Sequence, residues 1–171
     1  VLALAALLDA APHAVHAASD SRALQRAAGS DRPTAVAVAT SLLARPLPAQ
    51  LLKVRCDRAG DHRVCGLVVS GVKFHRTLDR PAFLGEMREL IAGAFAAAPA
   101  VEEVDLWTTV PLDAGKGAVV SGDFARPTSA TVFAVTVTRA ELPQLPGILA
   151  GSRNVFWDPA FAREIAAGGA R

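Results

Sequence analysis

Residues 51–69 read LLKVRCDRAGDHRVCGLVV, and how this stretch pairs with itself decides the fold. Apolar and polar residues alternate on both sides of Gly60 and Asp61. Glycine at the first turn position supplies the positive φ that two-residue hairpin turns demand. With that turn, Ala59 faces His62, Arg58 faces Arg63, and Cys56 faces Cys65. Pairs alternate between hydrogen-bonded and non-hydrogen-bonded down such a ladder. The two cysteines fall on a non-hydrogen-bonded pair, where Cα atoms approach to about 4.5 Å. The same register sets Val54 against Leu67 and Leu52 against Val69. A slip of one residue would part the cysteines and turn one strand's apolar set away from the other.

A Cys56–Cys65 disulfide follows. It closes a loop of about ten residues, worth roughly 2–3 kcal/mol if it acts through chain entropy. Such bonds persist in oxidising compartments, so the pair argues for export. A zinc site from Cys56, His62, Cys65 and His75 is the rival use of these residues. It lacks a C-x-x-C pair or any familiar ligand spacing.

Outward from the hairpin, the 171 residues are 51% hydrophobic and 20% charged, with 18 basic against 16 acidic side chains. That composition excludes intrinsic disorder and allows one domain with a real core. The near balance of charge supplies no field for a dedicated nucleic-acid binder. Residues 1–18 run from an apolar stretch into small residues ending in Ala17 and Ala18. They match the apolar core and cleavage region of a secretory signal peptide whose basic start is missing, with Asp9 as the discordant residue. The organisation expected is therefore a truncated signal peptide at 1–18, a helical or irregular N-terminal segment at 19–50, and a single α+β domain at 51–171. No run approaches the ~20 apolar residues of a transmembrane helix. The localisation expected is extracytoplasmic, periplasmic or secreted, in a bacterial envelope.

Thr34 to Ala44 reads as a short helix after the Ser30–Pro33 turn. The clearest helix runs from Arg80 to Ala97, with Asp79 as N-cap and Pro81 in its first turn. Phe83, Met87, Leu90, Ile91, Ala94 and Phe95 form its apolar stripe, with Glu86, Arg88 and Glu89 off it. Val101 to Val110 alternates, with Val104, Leu106 and Val110 on one face and Glu103, Asp105, Trp107 and Thr109 on the other. Ala130 to Thr138 is the strongest strand, rich in β-branched residues. Glu141 to Gly151, with two prolines, reads as irregular. Asp158 and Pro159 start a final helix, and Phe156, Trp157 and Phe161 are expected to plug the tail onto the domain. The fold class expected is α+β: an antiparallel sheet of four to five strands under one main covering helix, a two-layer sandwich.

Chemistry is sparse. Ser70, His75 and Asp79 lie close in sequence without the elbow motif of a serine nucleophile. The segment from Asp113 to Gly117 lacks phosphate-loop spacing. No catalytic constellation stands out. The candidates for a carboxylate–histidine site are His75, Glu103 and Asp105, with Glu102 and Asp123 able to approach. Lys53, Arg55, Arg58, Arg63, Lys73, Arg76 and Arg80 gather around the hairpin, and Arg55, Arg63 and Lys73 are expected on one face. No cofactor or metal is implied. The function expected is a non-enzymatic binding or assembly domain whose partner is an unknown protein or envelope component. The alternative is an exported hydrolase or metal-dependent enzyme.

Overall fold

The computed structural model describes residues 21–46, 50–71, 79–111, 129–151 and 154–166. The expectations placed on residues 1–18, Lys73, His75, Arg76, Asp113 to Gly117 and Asp123 lie outside these. A helical turn over residues 21–26 leads into β1 (Ala27–Ala28), α1 (Arg32–Leu43) and the hairpin strands β2 (Gln50–Ala59) and β3 (His62–Ser70). Helix α2 (Arg80–Ala97), β4 (Glu103–Pro111) and β5 (Ser129–Thr138) follow. A 3₁₀ helix (Arg139–Gln144), α3 (Leu145–Gly151), β6 (Val155–Trp157) and α4 (Pro159–Ala166) complete the described chain. The class is α+β. Among the described residues the sheet has six strands in chain order, where four to five were expected, and it is mixed where an antiparallel one was expected.

The difference lies in the connections. β3 runs parallel to β4, and β1 parallel to β2, while the other neighbours are antiparallel. Antiparallel neighbours can be joined by a tight turn, but a chain that rises through a helix returns to the end it started from. The 18 residues of α2 span about 27 Å, so β4 re-enters the sheet in the direction of β3. The long helix, read only as a cover, is also a crossover. The tail is more regular than expected as well. The 3₁₀ helix opens on a capping box between Thr138 and Glu141. Pro146 sits in the first turn of α3, where its missing N–H costs nothing.

The hairpin register holds from the turn to Val54. Gly60 has φ 63° and no non-glycine among the described residues has positive φ, as a II′ turn requires. Cys56 pairs with Cys65 in a disulfide with Cα atoms 4.1 Å apart. As a non-hydrogen-bonded pair demands, the Cys56 carbonyl points away from β3 and accepts from Asp31 N at 2.9 Å. Gly29 packs against that same strand at φ 100°, and a Cβ there would meet the Cys56 oxygen at 2.1 Å. Beyond Val54 the register changes. A bulge between Leu51 and Lys53 sets Leu51, not Leu52, against Val69. The extra residue buries Leu51 and leaves Leu52 39% exposed. Arg55 and Arg63 do not share a face. Arg63 is two residues from Cys65 and so on the cysteine side, paired with Asp31 at 3.2 Å, whereas Arg55 neighbours Cys56 and points the other way.

The core lies between one sheet face and the helices. Val54, Cys56, Cys65, Leu67, Val104, Leu106, Phe133 and Val137 are buried on that face against the expected stripe of α2 and the inner side of α1. Glu86, expected off the stripe, is buried too. Asp79 caps α2 by accepting from Ala82 N at 2.9 Å. At its other end Arg139 donates to the carbonyls of Phe95, Ala98 and Val101 at 2.8–3.1 Å. Phe83, Phe133, Trp157 and Phe161 close the far end, with Phe83 and Phe133 edge to face at 5.1 Å.

Candidate functional site

None of the described helices lies over the opposite face of the sheet, whose side chains follow from strand parity. Register partners align Lys53, Val68, Trp107, Ala134 and Phe156 in one row across five strands. The next row is Arg55, Gly66, Asp105 and Thr136, and the one beyond is Asp57, Val64, Glu103 and Thr138. An aromatic and apolar band thus borders a charged one. Trp107 is 37% and Phe156 50% exposed, so two large aromatic side chains, a residue class that dominates interface energetics, stand in water on one face.

Trp107 is held in place by a neighbour with no side chain. A Cβ on Gly66 would lie 2.7 Å from the six-membered ring of Trp107, so the indole leans over the glycine toward β3. That lean uncovers Ala134. A depression of about 420 Å³ opens between the two aromatic side chains, lined also by Thr136 and Asn154. The glycine is there for close packing, as its place inside a strand implies.

The charged row is only partly neutralised. Arg55 Nε donates to Asp57 Oδ2 at 2.5 Å, and that contact, with a backbone bond from Ser30, holds the Asp57 carboxyl below its ordinary range. Thr136 Oγ1 donates to Asp105 Oδ1 at 2.5 Å. Among the described residues neither Asp105 nor Glu103 has an ion-pair partner.

Of the residues singled out from the sequence, Glu103 and Asp105 do share this open face, two positions apart on β4. Glu102 pairs instead with His62, through Oε2 and Nδ1. The Asp79 carboxylate is engaged as a helix cap. With both sulfurs in the disulfide, Cys56 and Cys65 have no thiolate to offer zinc. Among the described residues no three histidine, cysteine or acidic side chains converge to hold a metal ion. Nor, among them, is any helix long and apolar enough to cross a membrane.

One member of the site was missed in the sequence. Phe156 was expected to plug the core, but it and Trp157 are successive residues of β6 and point to opposite sides. Only Trp157 reaches the aromatic core. Alternation alone would have separated them, had three residues been read as a strand.

No family model, curated protein or solved structure matches this chain. The site stands on its geometry.

Proposed function

We propose that this protein is a non-enzymatic binding or assembly domain of the bacterial cell envelope, working outside the cytoplasm and holding its partner on the open sheet face. The observation that carries the reading is the row from Lys53 to Phe156, which keeps Trp107 and Phe156 in water on a rigid, disulfide-braced sheet. A large aromatic costs little entropy to fix and contributes much area when covered. The disulfide supports the compartment, because glutathione and thioredoxin would keep such a pair reduced in the cytoplasm.

A photo-crosslinking residue tests the reading in the cell that makes the protein. Placed at Phe156 it should give a discrete adduct in the envelope fraction. Placed at Leu24, equally exposed but in the helical turn before β1, at the opposite edge of the sheet from β6, it should give none. Equal adducts from both positions, or none from Phe156, would overturn the reading.

A further inference from the structure

We infer that Trp107 and Asp105 together receive an arginine side chain from an extended basic segment of a partner protein. This rests on the proposed binding role of the open face and names the chemistry it selects.

Gly66 is the register partner of Asp105, so the indole that leans over Gly66 covers the position next to Asp105 in the same row, while Thr136 holds one carboxylate oxygen from the other side. The ring is backed by the sheet on one side and half open on the other. A cation over the open side of an indole is attracted by its quadrupole. Asp105 is pre-set for the same cation. Thr136 fixes one of its oxygens, and a carboxylate has lone pairs to spare for a fork of two N–H donors. Glu103 follows on the same face about 6.7 Å along β4, again without an ion-pair partner among the described residues. The site therefore pairs an aromatic platform with uncompensated negative charge.

Guanidinium satisfies both halves at once, being planar enough to stack and forked enough to pair with a carboxylate, where ammonium offers a hydrated point charge. The protein's own candidate is occupied. Arg55 lies in the same row as Gly66 and Asp105, but Asp57 holds it along its own strand. Beside the platform, the depression over Ala134 between Trp107 and Phe156 takes an apolar side chain of the same segment.

The test uses the full chain and three capped pentapeptides, Gly-Arg-Gly-Val-Gly and its lysine and citrulline counterparts. The two tryptophans supply probe and control. The indole N–H resonance of Trp107 should move saturably with the arginine peptide. That of Trp157, which sits against Phe83 and Phe133, should stay and report an intact core. Citrulline keeps the shape and loses the charge, and should bind about tenfold more weakly; Asp105→Asn should cost the arginine peptide a similar factor. Lysine should fall between the two. Equal binding of the arginine and citrulline peptides, an unaffected Asp105→Asn variant, or no saturable shift by about 10 mM peptide would overturn the inference. A neutral oligosaccharide that moves Trp107 where the arginine peptide does not would overturn it in favour of a sugar platform. In either case a persisting Phe156 adduct leaves the binding role of the face standing. Loss of that adduct removes the role itself.

Discussion

Strand β4 carries two proteins' worth of chemistry on one backbone. Val104, Leu106 and Thr108 point into the helix-covered side and are buried, while Glu103, Asp105 and Trp107 alternate with them on the side left open. The covered side is apolar and interlocked, with rings edge to face and helix carbonyls satisfied by Arg139. The open side mixes rings with the carboxylates of Asp105 and Glu103, which lack ion-pair partners among the described residues. A solvated sheet face with no task would be polar along every row. The difference separates what folds this chain from what it presents.

The sharpest way to break that distinction is to delete a ring from each side. Phe133→Ala should cost about 3–5 kcal/mol, because a fully buried aromatic leaves a cavity. Phe156→Ala, from a half-exposed ring, should stay within about 1 kcal/mol. Chemical denaturation of both variants measures the contrast, and equal losses would mean that the open side is part of the core.

Reducing the disulfide comes next. Cys56 and Cys65 are nine residues apart and buried on the covered side. Paired serine or alanine replacements should lower stability by about 2–3 kcal/mol, read as a shift in denaturant midpoint. The open-face peptide response should survive at temperatures where the variant is still folded.

Arginine deletions sharpen the comparison further. Arg139→Ala should cost about 2 kcal/mol, since it unties three carbonyls at the end of α2. Arg55→Ala, from an exposed ion pair, should change stability by less than about 1 kcal/mol.

The smallest effect is in pH. Hydrogen bonds from the Thr138 backbone and side chain lower the Glu141 carboxyl, as Arg55 first and Ser30 next lower that of Asp57. A carboxylate held lower in the folded state stabilises above its unfolded value. That contribution is lost as the pH falls through the folded one. Stability should therefore decline on the acid side of the carboxylate range, with a shallower slope in Glu141→Gln than in the parent. Parallel slopes by thermal denaturation would remove Glu141 from the account.

These contrasts follow what could be read before the structure. Local signals were legible: the Gly60 turn, the cysteine register, the Asp79 cap, and the alternation that set Trp107 beside Asp105 and Glu103. Non-local events were not. The Leu52 bulge depends on what Leu51 can bury, and no pattern within β2 announces it. The parallel pairing of β3 with β4 depends on where α2 returns the chain. β6 is three residues long, too short for a period to show, so Phe156 was assigned to the wrong side. The lean of Trp107 over Gly66 joins residues 41 apart, visible only once both strands are in register.

Oxidative footprinting of Trp107, compared between the purified protein and the intact cell that makes it, tests the central claim most directly. The account predicts ready oxidation of Trp107 in the purified protein, strong protection in the cell, and equal labelling of Leu24 in both. Equal labelling of Trp107 in the two settings would mean that nothing covers the open face, and would contradict the account.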